Sequence, residues 1–150
     1  MNQYILSFLI SYFIGSIPTA FLVVKKTSSL DIRTEGSGNV GGRNALEVTG
    51  KKWVGATVIL IDTLKGVVSV LIASLFFEDK AAAVSVAMFG AVLGHCYPVW
   101  LKFHGGRGLS TAAGSFLVTC WVWVPLWFLL YFVSEKLIKN VYVSSVIALV

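Results

Sequence analysis

WVGATVILIDTLKGVVSVLIASLFF, running from Trp53 to Phe77, decides the fold class. Asp62 and Lys65 are its only charged residues. The run exceeds the ~20 apolar residues a helix needs to cross the hydrocarbon core of a bilayer. Tyr4–Val24, Ala81–Leu101 and Leu109–Val133 repeat the pattern. Unbroken runs of this kind, rather than amphipathic stripes, belong to a chain whose solvent is lipid. Composition agrees: of 150 residues, 57% are hydrophobic and 13% charged, against roughly a quarter charged in a soluble domain. Mean hydropathy is +0.83. The expectation is an all-α, polytopic membrane bundle, one domain over residues 1–150 with no soluble module.

Charge distribution gives the orientation. Met1–Gln3 supply no Lys or Arg for a signal-peptide n-region, so the first run reads as a retained span. Lys25, Lys26, Arg33, Arg43, Lys51 and Lys52 lie between runs one and two, and Lys102 and Arg107 follow run three. Glu78-Asp79-Lys80, after run two, holds one positive charge. The positive-inside rule then places the N-terminus outside and both basic loops in the cytoplasm. The net charge of +5 is what this topology demands and does not point to nucleic acid. Cys96 and Cys120 read as small core residues, too few for a disulfide framework or a metal site. No metal or cofactor is expected.

The fourth run is ambiguous. As one helix it would carry Lys136 and Lys139 outside, against the charge rule. Broken at Pro125, it becomes two short helices that return the chain to the cytoplasm and need shielding by protein. The final VYVSSVIALV is too short to cross, so the sequence reads as lacking its C-terminal part.

The two basic loops carry the chemistry. In GHCYPVWLKFHGGRGLST (Gly94–Thr111), Gly105, Gly106 and Gly108 let backbone amides approach a ligand closely, beside Lys102, His104 and Arg107. The helix that follows begins with Ser110-Thr111 near its positive dipole end, which suits an anion. A tight interhelical turn is the competing reading. The motif lacks the G-K-[ST] ending and preceding strand of a P-loop. In the first loop, GSGNVGGRN gathers Gly36, Ser37, Gly38, Asn39, Arg43 and Asn44, exposing donors without bulk. From Asn44 onward a helix is expected to feed run two, with Gly50 as an interruption.

Asp62 and Lys65 share a helical face ~14 Å beyond Trp53. Two readings stand: a structural ion pair, or groups lining a substrate cavity. His95, one turn before Pro98, either braces a kink or takes part in catalysis; His104 reads as solvated. Neither histidine has Asp four residues later, and no Ser-His-carboxylate order is recognisable.

In order along the chain, GSIP (Gly15–Pro18), DIRTEGSGNVGGRNALEVTGKK, the D-x-x-K-G of Asp62, Lys65 and Gly66, GHCYPVWLKFHGGRGLSTAAG and YVSS (Tyr142–Ser145) resemble the bacterial acyl-phosphate:glycerol-3-phosphate acyltransferases, the PlsY family. The resemblance implies a seven-helix bundle, of which this chain covers about the first five helices, in the bacterial cell membrane with its active site on the cytoplasmic side. It implies acyl phosphate and glycerol 3-phosphate as substrates, lipid as a partner, no cofactor, and lysophosphatidate as product. Ser37, Asn39, His95 and Arg107 become the candidate catalytic residues. Gly36, Gly38, Arg43, Asn44, Lys102, Gly105, Gly106, Gly108, Ser110, Thr111 and Ser144 become candidate substrate and phosphate contacts.

The sequence departs from the family pattern at GGRG, where the family reads GGKG, and at Glu47, where an arginine is expected. Arg43, one turn earlier, is positioned to supply that charge. The family's C-terminal histidine–asparagine segment does not occur in these residues. Two alternatives remain open: a relative that binds phosphate ligands or partners without turnover, and a small transporter using Asp62 and Lys65.

Overall fold

The computed structural model describes residues 3–139 and residue 143, and the elements formed by them are helices. In chain order these are α1 (Gln3–Gly15), α2 (Thr19–Ser28), α3 (Gly42–Thr49), α4 (Lys52–Phe76), α5 (Lys80–Cys96), a 3₁₀ turn (Val99–Leu101), α6 (Leu109–Thr119) and α7 (Trp123–Ile138). Three stretches are long and apolar enough to cross a membrane: Gln3–Ser28, Lys52–Phe76 and Lys80–Leu101. Leu60, Leu75, Phe76 and Phe89 are exposed on their outer faces, as lipid-facing residues of a multi-pass protein should be. The chain divides into two compact units, Met1–Ser115 and Phe116–Val150.

Small residues set the helix crossings. In α1 the buried positions are Ser7, Ser11 and Gly15, every fourth residue and hence one stripe. Facing them on α5 are Ala83, Ala87, Gly90, Ala91 and Gly94. A Cβ on Gly15 would run into the Ala91 carbonyl, and one on Gly94 into that of Tyr12. The Ser7 hydroxyl donates to the Ala83 carbonyl at 2.8 Å. In lipid there is no hydrophobic drive between helices, so close backbone packing of this kind has to hold them. Gly55 packs in the same way against Gly42 and Leu46 of α3, and Gly66 against Thr111 and Ser115 of α6.

The helix ends follow local chemistry. Gly50 closes α3 in the left-handed region (φ 65°), its amide donating to the Leu46 carbonyl at 2.8 Å. This is the interruption expected before run two. The Asp79 carboxylate caps α5 by accepting from the Ala82 amide at 3.2 Å and also takes the Tyr4 hydroxyl at 2.8 Å. The start of α1 and the turn before α5 therefore share one end of the bundle.

Two expectations change. The fourth run does break, but at Cys120–Val122 rather than at Pro125. Pro125 is the third residue of α7, inside the first turn where a missing N–H removes no helical bond. Cys120 is exposed rather than a core residue, while Cys96 is half-buried; both are free thiols. Within the second unit, α7 stacks its own rings, with Trp127 and Tyr131 centroids 5.4 Å apart.

The α1–α5 crossing is testable. Gly94→Ala should lower the thermal midpoint of the detergent-solubilised protein by several degrees, since overpacking costs about 1–3 kcal/mol. Leu75→Ala, on an outward face, should leave it nearly unchanged. A Gly94→Ala midpoint within a degree of wild type would contradict the close approach.

Candidate functional site

The site is built on a broken helix. Pro18 has no amide to offer Ile14, so the first span cannot run unbroken past GSIP. The exposed backbone is satisfied locally: the Ser16 hydroxyl donates to the Phe13 carbonyl at 3.0 Å, and the Thr19 amide to that of Ile17 at 2.9 Å. Lys65 Nζ, from α4, donates to the same Ile17 carbonyl at 2.6 Å and to Asp62 Oδ1 at 2.5 Å. Asp62 Oδ1 also lies 3.7 Å from His95 Nδ1 on α5. All three side chains are buried, with 4%, 3% and 8% exposure for Lys65, Asp62 and His95. The Asp62–Lys65 pair is a buried bridge, as the first sequence reading had it, and it also lines a narrow cleft.

The second loop lies back on the end of α5. After the 3₁₀ turn, Lys102 (φ 53°) and Phe103 (φ 63°) take left-handed conformations that reverse the chain. Gly105 then donates its amide to the Cys96 carbonyl and Gly106 to that of His95, both at 3.1 Å. A Cβ on Gly106 would meet His95 Nε2 and the Val40 carbonyl. These two glycines are therefore required by packing, and their amides are engaged. That corrects the expectation that they open their amides to a ligand. The donors that remain begin at the N-terminus of α6, whose first amides have no acceptor inside their own helix. Gly108 (φ 78°) is buried and starts that helix, its carbonyl accepting from the Ala112 amide at 2.8 Å.

Arg107 is exposed at this end, Ser110 is half-buried and Lys102 is exposed on the turn. His104 is exposed too, its Nδ1 2.7 Å from the Lys102 carbonyl. Thr111 departs from expectation. It is fully buried, and its carbonyl abuts Gly66 of α4, so the residue belongs to the α4–α6 crossing rather than to the loop.

Asn44 organises the first loop from a fully buried position. Its Nδ2 donates to the carbonyls of Ile32, Glu35 and Asn39 at 3.2, 3.1 and 3.0 Å, and its Oδ1 accepts the Ser37 amide at 3.0 Å. The side chain expected to contact phosphate is committed to the loop's own backbone. Gly36 (φ 58°) and Gly38 (φ 70°) flank Ser37 in left-handed conformations and leave it exposed at the tip. Asn39 is half-buried. Arg43 Nε pairs with Glu47 Oε1 at 3.0 Å on the exposed face of α3, so the unexpected glutamate offsets the nearby positive charge. At the loop's start, Arg33 forks onto Asp31 (2.9 and 2.6 Å) and lies over the Phe21 ring. The hydrogen bonds from Arg33 hold the Asp31 carboxyl down to about 2.

The two loops meet. Val40 donates its amide to the Gly105 carbonyl at 3.5 Å, and the cleft below is lined by Thr19, Val40, Asp62, Lys65, His95 and Gly105 among others. Thr19 and Val40 went unnoticed in the sequence. The signal for Thr19 was its place just after the helix-breaking proline. Ser144 lies outside the described residues. Among those described, no three His, Cys, Asp or Glu side chains gather as a metal site would require.

Removing the Asn44 side chain should loosen the first loop selectively. Each buried group left unpaired costs about 1–3 kcal/mol, so Asn44→Ala should speed amide exchange at Ser37, Gly38 and Val40 by at least about tenfold. Exchange indistinguishable from wild type would refute the organising role.

Comparison with known proteins bears on this arrangement. A protein-family model described as glycerol-3-phosphate acyltransferase matches residues 5–150. A relative of that name from Gluconobacter oxydans is 46% identical over 120 residues, covering 79% of this chain and 57% of the relative. The chain spans less than two thirds of the length of this and other similar relatives. Two crystal structures of PlsY, an integral membrane glycerol 3-phosphate acyltransferase, superpose on 98% of this chain and 72% of theirs. The glycerol 3-phosphate form gives a TM-score of 0.84 at 31% identity, and the lysophosphatidic acid form 0.82 at 30%. On the match of fold and sequence along nearly its whole length, this chain belongs to the glycerol-3-phosphate acyltransferase family.

Proposed function

We propose that this chain carries the acyl-transfer centre of a membrane glycerol-3-phosphate acyltransferase. It moves a fatty acyl group from acyl phosphate to the sn-1 hydroxyl of glycerol 3-phosphate, giving lysophosphatidate and inorganic phosphate. The observation that carries this reading is the junction of the two glycine-rich loops, Val40 against Gly105, at one end of the membrane bundle. A lipid-tailed donor and a small soluble acceptor can both reach such a boundary. The two PlsY crystal forms, named for glycerol 3-phosphate and for lysophosphatidic acid, lend support from closely similar folds.

The chemistry asks little of a protein base. Acyl phosphate is a mixed anhydride: its acyl carbon–oxygen bond breaks, the acceptor oxygen forms the new ester, and the hydroxyl proton passes to a phosphate oxygen. The protein's task is to bring two anions together and stabilise charge. Arg107, Lys102 and the first amides of α6, with Ser110, serve the phosphates. Ser37 and Asn39, presented by Gly36 and Gly38, complete the cradle from the other loop. Arg43 contributes charge tempered by Glu47, and Asn44 shapes the loop. His95 supports the second loop from below, with Nε2 against Gly106. The site faces the cytoplasm of a bacterial cell, the basic loops inside and the N-terminus outside.

With purified protein, acyl phosphate and labelled glycerol 3-phosphate, lysophosphatidate should form. Arg107→Ala should reduce kcat/KM roughly 10–100-fold, the worth of a charge-assisted hydrogen bond, while Arg107→Lys should retain part of it. An Arg107→Ala enzyme with wild-type turnover would remove the assigned phosphate role. For orientation, cysteines are placed in a background where Cys96 and Cys120 are serine. Glu78→Cys should then react with a membrane-impermeant maleimide on intact cells, and Ser37→Cys only after permeabilisation. Ready labelling of position 37 from outside would reverse the topology.

A further inference from the structure

The first loop leaves uncompensated charge at the corner where its two ends meet. Its arginines are matched by carboxylates, Arg33 by Asp31 and Arg43 by Glu47. The lysines that flank it, Lys25, Lys26, Lys51 and Lys52, are all exposed, and none of them forms an ion pair among the described residues. The fold brings the four together. Val24 of α2 and Val54 of α4 are fully buried in one apolar cluster, which sets the end of α2 beside the start of α4. Lys51 Nζ then donates across that gap to the Thr27 carbonyl at 3.4 Å. Lys25 Nζ donates to the Ser29 carbonyl at 3.3 Å, and its charge also steadies the Asp31 carboxylate. Lys26 and Lys52 have no hydrogen-bond partner among the described residues and remain available.

Apolar surface continues directly from this charge. Leu22, one turn before Lys26, is 52% exposed. Trp53, next to Lys52, is 56% exposed and heads an outward stripe that runs on through Leu60 and Leu64. A tryptophan at the end of a lipid-facing stripe marks the level of the headgroups, so the ammonium groups beside it lie at that level. Lysine stems reach along apolar surface while their charge stays in the polar layer. Any lipid can cover the stripe, but only one with an anionic head meets the lysines. A soluble anion would use the charge and leave the adjoining apolar face idle.

We propose that Lys26 and Lys52, supported by Lys25 and Lys51, hold the headgroup of an anionic bilayer phospholipid whose chains lie against Leu22 and Trp53. The lipid is a resident of the membrane rather than a reactant, and it bridges the two helices between which the first loop is slung. These lysines take no part in the acyl transfer assigned above, so the two readings stand or fall separately.

The test titrates purified protein in neutral detergent with phosphatidylglycerol or with phosphatidylcholine of the same acyl chains, counting bound lipid by native mass spectrometry. Wild-type protein should prefer phosphatidylglycerol at least about tenfold, since each lysine near an anionic headgroup contributes roughly fivefold. Lys26→Gln combined with Lys52→Gln should lower that preference at least about fivefold, whereas arginine at both positions should retain it. Lys80→Gln, at the opposite end of the bundle, should leave it unchanged. All of these side chains are exposed, so thermal midpoints equal to wild type should show that the comparison is made on folded protein. A wild type indifferent to the headgroup, or a double glutamine variant that keeps the full preference, overturns the lipid site. Displacement of bound phosphatidylglycerol by inorganic phosphate, but not by chloride at equal ionic strength, would assign the lysines to a soluble anion and overturn it equally.

Discussion

An ammonium group inside an apolar bundle has to be satisfied by neighbours, and Lys65 is where this chain meets that demand. Its acceptors, Asp62 and the Ile17 carbonyl, come from different requirements. Asp62 is itself a buried charge that needs a counter-ion, and Ile17 offers a carbonyl released by the break in the first span. At membrane depth, irregular backbone is tolerated only where protein supplies the missing partners. The Pro18 break and the Asp62–Lys65 pair therefore support one another. Losing one member of such a buried pair typically costs about 3–5 kcal/mol, because the other charge is stranded. His95, close to the same carboxylate oxygen, ties α5 to that level. The bridge thus sets the relative height of α1, α4 and α5, and the loops rest on that height.

Glycine then controls lateral distance. Where Gly15 and Gly94 let α1 and α5 touch backbone to backbone, the ends of these helices are brought close enough for their following segments to meet. Gly105 and Gly106 repeat the device on a smaller scale, laying the second loop on the His95 and Cys96 carbonyls. The same residue type serves two purposes in adjacent positions. Gly105 and Gly106 pack, whereas Gly108, in the left-handed region, turns the chain into α6. A loop held this firmly presents a charge with little reorganisation, which is the property electrostatic catalysis requires.

Much of the architecture was legible because lipid is a demanding solvent. Unbroken apolar runs marked the spans, Gly50 marked the end of α3, and basic residues marked which loops share a side. The break in the fourth run was foreseen but misplaced, since a proline in a first helical turn disturbs nothing. The site was legible in composition and less so in role. Asn44 and Thr111 looked like ligands because polar residues near glycines usually are, yet the fold uses one to tie a loop and buries the other at a helix crossing. Which polar atom faces inward depends on long-range packing: Asn44 reaches back twelve residues to Ile32, and Lys65 forty-eight to Ile17.

The resulting site separates charge by depth. The outer loops present Lys102 and Arg107, whereas the floor matches each charge with its opposite. On the proposed function, an acceptor anionic at one end and hydroxylated at the other would have one favourable direction in such a field. Alignment of that kind is costly in solution, and well-oriented reactants gain several kcal/mol of barrier from it alone. For the proposed transfer, with a leaving group already activated as an anhydride, alignment and charge stabilisation would suffice without a dedicated base. On that proposal, a bundle without a recognisable catalytic dyad among its described residues would be a sufficient scaffold for acyl transfer.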